Sequence, residues 1–314
     1  MKIKDLFIQP SFQITILLLG LILYIISPFE IKPYVGFLTG FYLITAFIIQ
    51  IKESAKERGL INELKEVLIA FVIVLVFFFV IKYLLNTENP ISAIASCSMV
   101  DELKRGDLII ISNREENIKT QIKLNASIVP FTKPEVFVLK EGKELFSVNG
   151  SLIVFCENNY SEICKEFFLN PSSFSEKKGE IMFHYGLCKR GVKVEPCITF
   201  LTIKNESFKI TKESDIIVFK PEKGTLFSFI GDTVHRAIVE INDNGNIYFL
   251  TKGDNNNIFD IQFFSNGLYN LPINKEDVIG KVIFKIPYIG YYKLFITPYL
   301  KEDETCKYQL EIIN

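Results

Sequence analysis

The chain holds two histidines, His184 and His235, so a reaction that draws on an imidazole base has two places to find one. Serine is a weak nucleophile until an adjacent base takes its proton. Two serines stand in Ser96-Cys97-Ser98-Met99, ahead of Gly106-Asp107 and the aliphatic run Leu108 to Ile111. His235 lies in Gly231-Asp232-Thr233-Val234-His235-Arg236, at the start of a strand-like run. A carboxylate is then needed to hold the imidazole tautomer and to stabilise its protonated form. The next hairpin strand runs into Thr251-Lys252-Gly253-Asp254-Asn255-Asn256-Asn257-Ile258-Phe259-Asp260. Pairing with the His235 strand can return that loop to the imidazole. Ser98, His235 and either Asp254 or Asp260 form a candidate constellation for acyl transfer. Cys97 is a poor rival nucleophile, because adjacent side chains on a strand point to opposite faces. His184, in Phe183-His184-Tyr185-Gly186, reads as structural or surface.

The elements that must position these groups begin with an apolar first quarter. Leu6 to Phe29, Pro33 to Ile51 and Val67 to Ile81 are uncharged, the last extending through Tyr83 to Leu85. A bilayer-spanning helix needs roughly 20 apolar residues, which predicts three transmembrane helices over about 11–28, 34–51 and 67–85. Basic residues in short loops mark the cytoplasmic side. Lys2 and Lys4 precede the first span and Lys52, Lys56, Arg58 and Lys65 follow the second, against Lys32 alone between the first two. The reading is an integral protein of the cytoplasmic membrane, with a cytoplasmic N-terminus and a 52–65 loop on that side. Everything after Leu85 is then delivered to the outer side.

Beyond residue 86 the pattern is mainly β. Ile216 to Phe219, Ala237 to Ile241, Ile247 to Leu250 and Val282 to Phe284 are short β-branched or aromatic runs, and Asn242-Asp243-Asn244-Gly245-Asn246 is a hairpin signal. The expected domains are a membrane region, 1–85; a catalytic β domain from 86–112 and 213–293; a β-rich insertion, 113–212; and a C-terminal segment, 294–314. Turns are expected at Gly142, Gly150 and Gly179, and surface loops at the sequons of Asn125, Asn149, Asn159 and Asn205. Cys156, Cys164, Cys188 and Cys197 allow one or two disulfides in an oxidising compartment, with the pairing left open. The six cysteines include no C-x-x-C pair, which argues against a zinc ribbon. A formal net charge of −1 without a long basic block gives no basis for nucleic-acid binding.

The motifs together resemble type I signal peptidase, in the form found in archaea and in the endoplasmic-reticulum signal peptidase complex. The family's Ser-Gly-Ser-Met-x-Pro box, with its later Gly-Asp, is matched by Ser96 to Met99 and Gly106-Asp107. Gly-Asp-Ile-Val-x-Phe/Tyr resembles Ser214-Asp215-Ile216-Ile217-Val218-Phe219. Val234-His235-Arg236, Thr251 to Asn256 with Asp260, and Gly280, Val282, Ile286, Pro287, Ile289 and Gly290 match the remaining boxes. The resemblance covers about 67–112 and 214–293. Cys97 and Ser214 stand where the family has glycine, and Asp101 where it has proline.

This resemblance implies a membrane-bound serine endopeptidase, a signal peptidase I with a signal-peptidase-like β core. Ser98 would be the nucleophile, His235 the general base, Asp260 the orienting acid and Asp254 the second candidate. The Ser98 N–H and the Ser96 hydroxyl would form the oxyanion hole. Bacterial relatives use a lysine base where this chain has His235. The substrate would bind as an added strand, along an edge formed by the apolar runs near Ser96 and Ile217. The implied partners are secretory precursors carrying signal peptides, the lipid bilayer and the protein export channel. No cofactor, metal or nucleic acid is implied. The alternative is a catalytically inactive relative that binds a partner through 113–212.

Overall fold

The computed structural model describes residues 9–28, 31–114, 117–157, 159–294 and 304–313, and the chain separates into two compact units. Lys2 and Lys4 lie outside the described residues, as do 295–303 of the expected C-terminal segment.

The first unit comprises Met1–Ala95, Arg105–Ile109 and Lys285–Glu302. It contains the helices α1 (Pro10–Ile26), α2 (Lys32–Arg58) and α3 (Leu60–Leu85). Two stretches, Tyr34–Lys56 and Leu60–Leu85, are long and apolar enough to cross a membrane. α1 has 17 residues, short of the roughly 20 that a hydrocarbon core requires, so the expectation of three spans holds for two helices. α3 has no buried residue; a helix apolar on every side is suited to lipid rather than to water. The expected loop over 52–65 is instead helical except at Gly59. Lys, Glu and Ala propagate a helix well, so α2 runs on past its apolar part. The chain reverses at Gly59, whose φ of +84° suits a residue without Cβ. Across this turn Ser54 donates to Glu63 and Arg58 pairs with Glu66 at 3.4 Å. α1 meets α2 where a Cβ on Gly20 would strike the Thr39 side chain at 2.5 Å, a small-residue contact that lets helix backbones approach closely. Tyr24 of α1 donates to the Leu294 carbonyl and packs edge-on against Tyr291 in α6 (Tyr291–Leu294). The short strand β1 (Ile91–Ala93) ends beside Ile94, which exchanges backbone hydrogen bonds of 2.9 Å with Gly106 and Asp107.

The second unit comprises Ser96–Lys104, Ile110–Phe284 and Asp303–Asn314. Its first sheet holds β10 (Ile216–Phe219), β11 (Thr233–Asp243), β12 (Asn246–Lys252) and β15 (Ile273–Asn274), with β16 (Val278–Ile286) on the other side of β10. Adjacent strands along this path are antiparallel. The hairpin expected at 242–246 joins β11 to β12, with Asn244 and Gly245 both at positive φ, as a tight type I′ turn requires. Ile217 is not at an edge: β10 is paired with β11 on one side and β16 on the other, so its backbone cannot accept an added strand.

The second sheet follows the order β5 (Lys143–Asn149), β4 (Glu135–Lys140), β6 (Phe174–Lys178), β7 (Ile181–Arg190), β8 (Lys193–Ile203), β9 (Glu206–Lys209). Gly142, Gly150 and Gly179 sit at positive φ between its elements. Asn125, Asn149, Asn159 and Asn205 are exposed. Two short helices, α4 (Leu152–Glu157) and α5 (Glu162–Leu169), are bridged by Cys156–Cys164, and Cys188–Cys197 ties β7 to β8. The third disulfide, Cys97–Cys306, falls outside the group the sequence singled out. The 113–212 segment also lends β3 (Ile122–Asn125) to the first sheet, parallel to β11. One buried cluster joins Phe167, Phe183 and Leu201 of the 113–212 segment to Ile238, Leu250 and Phe259. His184 lies on β7, its ring stacked on Phe200 at 4.2 Å and Nε2 2.9 Å from the Thr202 hydroxyl.

Phe167 is fully buried and packs edge-on against Phe174 and Tyr185, with centroids 5.5 and 4.8 Å away. Phe167→Ala is expected to cost about 3–5 kcal/mol of stability, read as a lowered urea midpoint by circular dichroism.

Candidate active site

His235 and Arg236 are consecutive on β11, so their side chains leave opposite faces of the sheet. Each finds its own carboxylate. His235 is 3% exposed, with Nδ1 2.6 Å from Asp260 Oδ2 and Nε2 2.9 Å from Ser98 Oγ. Arg236 makes a two-pronged contact with Asp254, at 2.8 and 2.7 Å, and donates to the carbonyls of Lys212 and Ser214. The two acids left open by the sequence are thus separated by geometry: Asp260 faces the imidazole and Asp254 faces the guanidinium. An ionised carboxylate only accepts, so Nδ1 carries the proton. Nε2 is then an acceptor for the Ser98 hydroxyl. Thr251 donates a second hydrogen bond, of 2.6 Å, to Asp260 Oδ2. Phe219 and Phe227 flank the imidazole edge-on, at 6.5 and 5.9 Å.

The Ser98 segment has no regular strand or helix to hold it and is held by the turn after β12. Asn255 N–H donates to the Ser98 carbonyl at 2.7 Å, Asn255 Nδ2 to the Cys97 carbonyl at 3.0 Å, and Asp254 N–H approaches Met99 Sδ at 3.4 Å. A Cβ on Gly253 would lie 2.7 Å from the Ser98 carbonyl oxygen, so the glycine of this box is required by close approach. Lys252 is buried and donates to the Gly253 and Asn256 carbonyls. Burial pushes its ammonium down to about 8, against the charges of Asp254 and Asp260. Met99, buried beneath the loop, anchors it, while Ser98 is half-buried and Ser96 exposed. Ser96 Oγ is 3.3 Å from Ser98 Oγ. Cys97 carries no free thiol, being bonded to Cys306.

The pairing of Arg236 with Asp254, the role of Asn255 and the Cys97–Cys306 link were not read from the sequence. Strand alternation at His235-Arg236 is a signal that could have revealed the first. Among the described residues, no group of three or more His, Cys, Asp or Glu side chains is placed to hold a metal ion.

No family model matches the chain. It is 37% identical over 91 residues to the signal peptidase complex catalytic subunit SEC11C of Homo sapiens, a match covering 29% of this chain and 44% of that protein. The SEC11 subunits of Metarhizium robertsii (37% over 70 residues; 22% and 40%) and Candida tropicalis (33% over 86 residues; 27% and 48%) are similar in the same way. The chain thus spans less than half the length of these relatives. Over that stretch it is homologous to catalytic subunits of the endoplasmic-reticulum type of signal peptidase.

Two substitutions probe the scaffold of this site. Arg236 and Asp254 side chains are each 5% exposed, so Asp254→Ala strands a buried guanidinium and is expected to cost about 3–5 kcal/mol, measured by chemical denaturation. Gly253→Ala forces a methyl against the Ser98 carbonyl and is expected to cost about 1–3 kcal/mol by the same measurement.

Proposed function

We propose that this chain is a membrane-bound serine endopeptidase that removes N-terminal signal peptides from exported precursors. The observation that carries the reading is the continuous hydrogen-bonded path Ser98–His235–Asp260, with contacts of 2.9 and 2.6 Å. It runs through the motifs that resemble the signal peptidases, and the likeness to SEC11 subunits supports the substrate class.

In this reading His235 Nε2 takes the proton of Ser98 Oγ as the oxygen attacks the scissile carbonyl. Asp260, held by Thr251 and the imidazole, favours the imidazolium that forms. Collapse of the tetrahedral intermediate returns that proton to the leaving amine. Water, deprotonated by the same imidazole, then releases the acyl group from Ser98. The Ser98 N–H and the Ser96 hydroxyl are the proposed donors to the developing oxyanion. Asp254 stands aside from the proton path and neutralises Arg236.

The outer side of the cytoplasmic membrane is the proposed location. The basic residues Lys52, Lys56, Arg58 and Lys65 cluster around the turn between α2 and α3, which by the positive-inside rule puts that turn in the cytoplasm. α3 then leads outward, and Ser98 follows its end at Leu85 by 13 residues. Three disulfides in the β-rich unit fit an oxidising compartment. Precursors arriving from an export channel with their apolar segment in the bilayer would present the cleavage site to this unit. The inactive-relative alternative gains nothing from the geometry, since Ser98 is within hydrogen-bond reach of His235, and His235 of Asp260.

The family that the motifs resemble cleaves after small residues at the first and third positions before the bond, so the test is cleavage, in lipid vesicles, of a precursor with alanine at both. Ser98→Ala, His235→Ala and Asp260→Asn are each expected to lower kcat by about 10⁴-fold or more, with loss of acylation of Ser98 by a serine-directed probe. Wild-type rates in Ser98→Ala would overturn the proposal.

A further inference from the structure

Asp260 is presented by a single short helical turn, Asp260–Gln262, preceded by Phe259. Gln262 is fully buried, and its Oε1 accepts from the Phe259 N–H at 2.9 Å, which closes the turn on itself. Its Nε2 donates at 2.5 Å to Oε2 of Glu176, a fully buried carboxyl on β6 of the inserted sheet. The other oxygen of Glu176 accepts from the Leu152 N–H at 2.5 Å and from the Tyr185 hydroxyl. Burial pushes the Glu176 carboxyl up to about 7, opposed by these three donors and by Lys178. A carboxyl withdrawn from water is destabilising unless each lone pair is used, and one of its few partners is the amide that closes the Asp260 turn. Phe259 is packed on the same side, edge-on to Phe183 at 5.2 Å.

We propose, resting on the reading of Ser98, His235 and Asp260 as the reacting groups, that Glu176 is a positioning residue: acting through Gln262, it holds the turn that aims Asp260 at His235. The inserted sheet is then part of the working site rather than a passive addition. Glu176 spends its hydrogen bonds on Leu152, Tyr185 and Gln262 and reaches His235 only through the Asp260 turn, so the expected effect falls on the chemical step.

The hydrogen-bond polarity supplies the experiment. In Glu176→Gln the new amide N–H₂ can meet the Gln262 N–H₂, donor against donor. Exchanging the two residues, Glu176→Gln with Gln262→Glu, restores the pattern. Gln at 176 accepts from Leu152 and Tyr185 and donates to Glu at 262, whose second oxygen accepts from Phe259. Full-length protein in vesicles is assayed on the alanine-bearing precursor, with kcat taken per folded protein. Glu176→Gln is expected to lower kcat about 10–100-fold with KM within about twofold, and the exchanged double variant to recover most of that loss. An unchanged kcat in Glu176→Gln, a loss confined to KM, or a double variant no better than the single one would overturn the proposal. If Glu176→Gln yields too little folded protein, the double variant alone decides: near-wild-type kcat supports the proposal, and a folded double variant with low kcat defeats it. Ser98→Ala, run in parallel, separates the two readings. Retained cleavage there defeats the assignment of the site itself, whereas an inactive Ser98→Ala beside a fully active Glu176→Gln defeats only the positioning role.

Discussion

The interaction on which the site depends is the 2.6 Å hydrogen bond between His235 Nδ1 and Asp260 Oδ2. Asp260 is 2% exposed, and a carboxylate removed from water costs several kcal/mol unless its surroundings replace the lost hydration. Thr251 and His235 supply two donors on one oxygen, and Asn270 Nδ2 binds the Asp260 carbonyl at 3.0 Å. A buried acid of this kind demands accuracy from every element around it. Both side-chain donors fall on Oδ2, while Oδ1 is buried without a hydrogen-bond partner among the described residues, so a displaced turn would lose the whole of that compensation. The 3.6-period geometry of a long helix is not available here, so a three-residue turn must be held by side chains, which is the task met by Gln262 and Asn270.

The same logic explains why two acids stand six residues apart after one histidine-arginine pair. β11 directs His235 and Arg236 to opposite faces, and each face requires its own negative charge. Arg236, 4% exposed, cannot lose its proton and so must be paired. Asp254 answers it and in doing so fixes the turn whose next residue, Asn255, binds the Ser98 carbonyl. The imidazole and the guanidinium are therefore served by separate acids that share one loop.

The short-range signals of the sequence were legible where a local rule applies. Asn244-Gly245 admits positive φ, and the hairpin between β11 and β12 follows. The ordered boxes named Ser98, His235 and Asp260, which the fold brings within hydrogen-bond reach. What failed were readings that depend on where a local pattern stops or on partners distant in the chain. Polar residues after Ile51 looked like a loop, yet their helix propensity carries α2 to Arg58. Ile217 looked like an edge because nothing in its own run announces that β16, some sixty residues later, lies beside it. Glu176 and Gln262 are 86 residues apart, and neither belongs to a motif.

Cys97 is the departure from the family pattern that the fold makes sense of. A cysteine beside Ser98 gains a partner because Cys306 is brought to it. That segment is anchored by the strand β17 (Leu310–Ile312), which pairs antiparallel with β7 from Arg190 to Cys188. Asn255 ties the arrangement together: its N–H and Nδ2 bind the carbonyls of Ser98 and Cys97, and its Oδ1 accepts from the Leu310 N–H at 2.8 Å. Arg190 of β7 in turn donates to the Asn255 carbonyl at 2.9 Å. The loop bearing Ser98, the turn after β12, the strand β17 and the second sheet thus form one connected network. β17 has no place to dock without β7, and Cys306 would not be held near Cys97 without β17. Cys97, beside Ser98, and the sheet that holds β7 are consequently coupled features of this fold.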